Sequence, residues 1–240
     1  MSTMNKRVWL MSTGVASMAI MLLLSGYTGA AVTGGGTVSG AITLQGNPPA
    51  LAATPTGGAS AICGASVPNE EIVRSGNNLA NVVVWIDGIQ NGKPVVPGRV
   101  TLDNSGCRYV PHVQSATVGS TLVVTSQDAT LHNIHAFSGA ATAFNLALPS
   151  KGMRVQRRLT ATGPIRFQCD AGHTWMSGHL HVFDHPYHVV TTNNGRFSLA
   201  DVPPGTYTVK AWHERLGTQT AQVTVTAGGT ATANLAFRAH

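Results

Sequence analysis

Within the eight residues Cys169-Asp170-Ala171-Gly172-His173-Thr174-Trp175-Met176 the chain carries a thiol, an imidazole and a thioether, and a second imidazole stands upstream in Leu131-His132-Asn133-Ile134-His135. These are soft or borderline donors, suited to copper and zinc rather than to magnesium or calcium. Two imidazole nitrogens and one thiolate in a plane, with a weak axial thioether, form the ligand set of a one-electron copper site. His132, Cys169, His173 and Met176 together therefore predict one bound copper ion and electron transfer rather than carbon chemistry. Five of the seven methionines (Met1, Met4, Met11, Met18, Met21) lie in the N-terminal segment, which leaves Met153 and Met176 for the rest of the chain. A methionine three residues after a histidine, in a chain otherwise so poor in them, fits a ligand better than generic core filling.

No Ser-His-Asp arrangement, phosphate loop or paired-carboxylate site is present in the sequence, so the chain is not expected to be an enzyme. His135, His179, His181, His185 and His188 are a surplus of imidazoles that could build a second metal site or pass copper to the first. Outward alternation along a strand explains His179 and His181 more simply.

The donors need a rigid frame. Along Ile165-Arg166-Phe167-Gln168-Cys169 the apolar side chains and the thiol share one face and Arg166 and Gln168 the other, so Cys169 is expected to point inward at a strand end. The ligand loop follows at once, and alternation resumes with Leu180 and Val182 inward. Short β-branched runs with a period of two, broken by Gly, Pro and Asn, recur at 37–44, 81–86, 121–125, 165–169, 180–183, 207–212 and 222–226. No long helical period appears, and the predicted class is all-β, built of sandwiches. The stretch 48–66 reads as loop, 88–98 as a turn-laden connection, and Asn194-Gly195 as a hairpin turn.

Residues 1–30 read as a secretory signal, with Lys6 and Arg7 as the basic start, a largely apolar run over 15–24, and Thr28-Gly29-Ala30 as a small-residue cleavage site. A transmembrane anchor is the competing reading, but the apolar run is short and interrupted by Gly and Ser. Leu22-Leu23-Leu24-Ser25-Gly26 resembles the start of a lipoprotein box, yet Tyr27 stands where that box needs a cysteine. The expectation is a periplasmic or secreted protein with no stable membrane span in its mature form. About 210 residues then remain, enough for two small β domains and too many for one single-copper sandwich. Losing Lys6 and Arg7 lowers the formal net charge from +6 to +4, too diffuse for a nucleic-acid footprint. The clustered Lys151, Arg154, Arg157 and Arg158 fit a solvated strand face.

Three cysteines in an exported protein suggest one bridge and one thiol with another task. Cys169 stands apart by its neighbours, which pairs Cys63 with Cys107. Cys107-x4-His112 could instead mimic a Cys-His ligand pair.

The His-Asn pair and the Cys-His-Met loop resemble those of cupredoxins, most closely the amicyanin and plastocyanin group, over roughly 95–185. The resemblance implies a Greek-key sandwich, a type 1 copper ligated by His132, Cys169, His173 and Met176, and redox proteins as partners. It also gives the Asn133 amide the task of fixing the loop that holds the cysteine. By the same resemblance His173 would reach the surface as the electron port, with Trp175 and Leu131 in the surrounding apolar patch. One departure is the Cys-x3-His-x2-Met spacing, a residue longer before the histidine than in amicyanin-like loops. That spacing resembles half of the binuclear copper loop of cytochrome oxidase subunit II, but position 165, where the second bridging cysteine would stand, is Ile. The extra residue leaves two axial arrangements open: Met176 as ligand, or a rotated thioether with a carbonyl or an open position in its place.

Gly195-Arg196-Phe197 followed by Pro203-Pro204-Gly205-Thr206-Tyr207 resembles the carboxypeptidase regulatory-like, transthyretin-like sandwich. Stretches 36–44 and 81–86 resemble that family's early strands, yet they precede the copper motifs. The expected organisation is a signal at 1–30, a first part of the regulatory-like sandwich at 36–92, a cupredoxin-like domain at 93–185, and the second part at 186–240, with a plain tandem arrangement as the alternative. Single-electron carriage is the expected function. Copper trafficking and a structural envelope role with dispensable metal are the other two readings.

Overall fold

The computed structural model describes residues 34–46, 48 and 51–239, so the expected signal at 1–30 lies outside the described residues. Among these no helix is long and apolar enough to cross a membrane. The fold is all-β, with two separate buried cores.

In the first sandwich the strand Gly36–Gln45 is the hub. It pairs antiparallel with Arg196–Val202 on one side and, on the other, runs parallel to Thr230–Thr232 and then Leu235–Arg238. Near its end it also meets Asn78–Leu79. The opposing sheet runs His188–Val190, Val83–Ile86, Gly205–His213, Gly217–Val225. Val38, Ile42 and Leu44 alternate inward from the hub and meet Val84, Ile86, Val209, Ala211 and Phe237 in one core. Burying each such side chain contributes about 1.5–3 kcal/mol. Chain from before and after the His-Asn and Cys-His-Met motifs thus shares one sheet and one core. Gly40 has to be glycine, because a Cβ there would lie 1.9 Å from the Ala233 carbonyl oxygen.

Asn194-Gly195 departs from the expected hairpin. The strands on either side of it, His188–Val190 and Arg196–Val202, lie in different sheets, so the turn carries the chain from one to the other. Gly195 supplies the positive φ of +65° that the turn signal anticipated. A local signal reports the reversal but not the strand partner, which is chosen by the apolar pattern of the whole segment. In the Pro-Pro-Gly-x-Tyr stretch, the Tyr207 hydroxyl donates to the Pro203 carbonyl at 2.9 Å and ties the corner to its own strand.

The second sandwich packs the sheet Arg154–Arg158, Thr121–Ser126, Arg99–Asn104, Tyr109–Val110 against the sheet Ala141–Leu148, His132–Ser138, Gly163–Gln168, Ser177–Phe183, Val113–Thr117. Two pairs are parallel, Thr121–Ser126 with Arg99–Asn104 and Ser177–Phe183 with Val113–Thr117, so they cannot be joined by hairpins. Leu102, Leu122, Val124, Ile134, Ala136, Phe167, Leu180 and Val182 fill the space between the sheets. The basic strand Arg154–Arg158 is an exposed edge, as its charges suggested, and they discourage further strand pairing there.

Cys63 and Cys107 form a disulfide, which excludes the alternative of Cys107 as a ligand partner of His112. Cys63 lies in the stretch grouped by sequence with the first sandwich, yet it is buried in the core of the second, with Ala59 beside it. The loop at 48–66 contains a short 3-10 turn, Gly57–Ala59, and one helical turn, Ser60–Cys63.

The outward-facing explanation of His179 and His181 needs correction. Leu180 and Val182 do point inward, but the other face of Ser177–Phe183 is covered by the first sandwich rather than by water. His181 is only 8% exposed, with its ring 4.4 Å from that of Trp212, and the His179 ring lies 5.2 Å from the same tryptophan.

Candidate metal centre

At one end of the second core, three elements bring their donors together. His132 opens the strand His132–Ser138, Cys169 follows directly on Gly163–Gln168, and His173 sits in the loop before Ser177–Phe183. One ring nitrogen of each histidine and the Cys169 sulfur all lie within 4.8 Å of one another. The His132 and His173 ring centres are 4.7 Å apart, and Cys169 Sγ is 3.7 Å from His173 Nδ1. All three side chains are buried.

The polar partners leave one nitrogen free. His132 Nε2–H donates to an Asp128 carboxylate oxygen at 3.0 Å, which puts the lone pair on Nδ1. Nδ1 is buried and has no hydrogen-bond partner. An unpaired buried polar atom costs about 1–3 kcal/mol. Burial, together with the neighbouring His173, holds the His132 pKa below its ordinary value despite Asp128, and burial lowers that of His173. Both rings are thus neutral near pH 7, as metal binding requires. A buried thiol, two neutral imidazoles and an unpartnered Nδ1 fit one copper ion.

Asp128 is the residue that sequence reasoning missed. Besides orienting His132, its carboxylate accepts the backbone N–H groups of Gly106 at 2.9 Å and Cys107 at 2.8 Å. Cys107 has φ +53°, a left-handed conformation unfavourable for a residue with a Cβ, and Asp128 helps to hold it. One carboxylate thus fastens the disulfide loop to the histidine. Its only sequence signal is its position four residues before His132.

Asn133 sits where the cysteine loop can be pinned. Its Oδ1 accepts the Asp170 backbone N–H at 2.6 Å, and its Nδ2 donates to Asn145 Oδ1 at 2.9 Å. The Tyr109 hydroxyl donates to the Asn133 carbonyl at 2.5 Å, and burial pushes its pKa well up. His135 is removed from the donor cluster by hydrogen bonds to Asp170 at 2.7 Å and to Thr142 at 2.8 Å.

Met176 is 1% exposed and shares the core with Cys169. Its N–H donates to the His173 carbonyl at 2.9 Å and its carbonyl accepts the Cys169 N–H at 3.3 Å, so its backbone closes the loop. His173 departs from the expectation of an open edge. It is only 5% exposed, the Trp175 ring lies 5.4 Å away, and both disulfide sulfurs lie within 4.8 Å of one of its ring nitrogens. The added Cys63 segment and Trp175, whose Nε1–H donates to the Cys107 carbonyl at 3.0 Å, supply this cover. Leu131, at 48% exposed, remains open to solvent.

Solved structures with partial similarity include a purple cupredoxin from Nitrosopumilus maritimus, 23% identical, with 35% of this chain and 98% of that one covered at a TM-score of 0.31. A Cu(I) amicyanin variant is 21% identical, with 41% of this chain and 97% of that one covered, also at 0.31. A copper-containing nitrite reductase from Thermus scotoductus is 20% identical over 40% of this chain at a TM-score of 0.32, and the overlap spans only 25% of the reductase. No curated protein matches the chain. Residues 180–238 match the carboxypeptidase regulatory-like domain, which covers the closing strands of the first sandwich and begins within Ser177–Phe183.

Proposed function

We propose that the chain is an exported single-copper protein that carries electrons one at a time between redox proteins and catalyses no reaction of its own. In this reading the copper-bearing sandwich is inserted between strands of the regulatory-like one. The observation that carries the proposal is that the His132 ring, whose buried Nδ1 has no partner, offers a nitrogen within 4.8 Å of the buried Cys169 sulfur and a His173 nitrogen. When bound, copper would supply reversible one-electron exchange. The rest falls to this chain's own residues. Asp128 holds the His132 tautomer, and Asn133 ties the backbone after Cys169 to a core strand. Hydrogen-bonded neighbouring strands of one sheet hold the donors, so little rearrangement should accompany a change of charge. Met176 is proposed as the weak axial donor. Trp175 and the disulfide, which cover His173, would form the contact surface for a partner.

The deciding experiment is the visible and EPR spectrum of the copper-loaded mature protein. An intense thiolate-to-copper absorption with one copper per chain is expected. Copper binding without that absorption would favour trafficking, and no binding at all would leave a structural role.

A further inference from the structure

About one strand away from that centre, at the junction of the two sandwiches, a second cluster has no part in it. His112 precedes the strand Val113–Thr117, His179 lies on Ser177–Phe183, and Glu214 follows Gly205–His213 of the first sandwich. His112 Nε2 contacts one Glu214 carboxylate oxygen, and His179 Nε2 lies 3.1 Å from the other. His112 and Glu214 side chains are 5% and 10% exposed, and that of His179 is 14% exposed.

The tautomer of His112 decides what can lie between these groups. Its Nδ1 is 3.1 Å from the Ser177 carbonyl oxygen, which accepts only, so Nδ1 carries the hydrogen. In the neutral ring, Nε2 then turns a lone pair toward an ionised carboxylate. Two acceptors at that range repel unless something positive lies between them, either an additional proton or a metal ion. Bonds of about 2.0–2.2 Å to a tetrahedral ion place neighbouring donor atoms about 3.3–3.6 Å apart, so the 3.1 Å pair of His179 and Glu214 needs to open only slightly, and the closer His112–Glu214 contact more, for an ion to sit between them.

We infer that His112, His179 and Glu214 form a second, previously unassigned site for a zinc-class divalent ion, with two imidazole nitrogens and one carboxylate as ligands. A His-His-Glu set with a fourth position left to water is an established zinc arrangement, although copper(II) would compete for it. The Ser177 carbonyl behind His112 fixes the ring as metal-bound histidines generally require. Because Glu214 comes from one sandwich and both histidines from the other, an ion here would clamp the two together. The site does not depend on the copper reading.

Equilibrium dialysis against Zn(II) tests the inference with Cys169→Ser/His173→Gln protein, which lacks two donors of the first centre. One zinc per chain is expected, with affinity falling more than about tenfold on Glu214→Gln or His179→Gln in that background. X-ray absorption at the zinc edge should show two imidazoles and oxygen, without sulfur, and requires no variant of the cluster itself. No zinc bound, zinc unaffected by both substitutions, or a coordination shell with fewer than two imidazoles would overturn the site and leave a proton-bridged ion pair. Failure here would not touch the copper proposal, which rests on Cys169 and His173, both replaced in the test protein.

Discussion

In the sandwich around Gly36–Gln45 the buried cluster is aliphatic apart from Phe197, Phe237 and Tyr187, and the Tyr187 hydroxyl is satisfied by the Asp201 carbonyl at 3.0 Å. The buried cluster of the other sandwich includes Cys169, Met176 and Tyr109 and packs beside two histidines. Among the described residues, the buried side-chain nitrogens and oxygens without partners belong to Asn104, Gln114, His132, His181 and His188, all in the second sandwich or facing it. Each such atom is costly. Two cores of the same construction therefore divide the work. Among the described residues the first core has no unpaired buried side-chain polar atom among its members, while the second packs beside His132, whose Nδ1 stays uncommitted near Cys169 and His173.

The sharpest way to break this comparison is to remove the thiol. Cys169→Ser should abolish the intense thiolate-to-copper absorption completely, because a hydroxyl is a harder and less covalent ligand and Cys63 and Cys107 are committed to a disulfide. The first core should be untouched. Retained absorption in the variant would refute the assignment of Cys169.

Next in size is the disulfide, which fastens a segment from the first part of the chain onto the second core. Removing both sulfurs as Cys63→Ser/Cys107→Ser should cost about 2–5 kcal/mol in urea unfolding. The copper absorption should also change, since Cys107 shares Asp128 with His132. An unaltered spectrum and unaltered stability would mean that the bridge and the centre are independent.

Acid should separate the junction from both cores. Burial lowers His181 and His213 to about 4, so each is neutral when folded but protonated in the unfolded chain between about 6.5 and 4. The unfolded state then binds more protons, and stability is complete above 6.5 and falls as the pH drops toward 4, by up to about 1.4 kcal/mol per unit and per group. Glu214, lowered from 4.5 to about 2, adds a further loss between those values. The raised pKa of His112 acts in the opposite sense, favouring the fold below 6.5 and losing that contribution as pH rises through its folded value. Urea midpoints at pH 7.5, 6, 5 and 4 should decline in that order, and a flat series would contradict the burial of these rings.

The strand residues and the thiol and imidazoles that the fold brings together were legible in the sequence because alternation and side-chain chemistry are local. The hub Gly36–Gln45 and the loop from Cys169 to Met176 needed no knowledge of the partner strand. Asp128 was not legible, because its importance lies in Gly106 and Cys107, which reach it only through the fold. His181 looked like a solvent-facing residue for the same reason. Periodicity tells which residues share a face, but not whether water or a second sandwich covers it. The covered His173 edge likewise depends on a distant segment, the one that carries Cys63.

The smallest expected effect separates packing from ligation at a single residue. Met176 is buried in the second core, so Met176→Leu preserves volume and apolar character and should change stability by less than about 1.5 kcal/mol. Its backbone bonds to His173 and Cys169 do not depend on the side chain and should persist. If the thioether is the weak axial donor, its removal disfavours Cu(II) relative to Cu(I), so the absorption is kept while the reduction potential rises. An unchanged potential would make Met176 core filling like Leu180 on the next strand, and the axial position would then belong to a carbonyl or stay open. Protein-film voltammetry of the two forms at one pH distinguishes these outcomes, with the urea midpoint measured alongside as the control for packing.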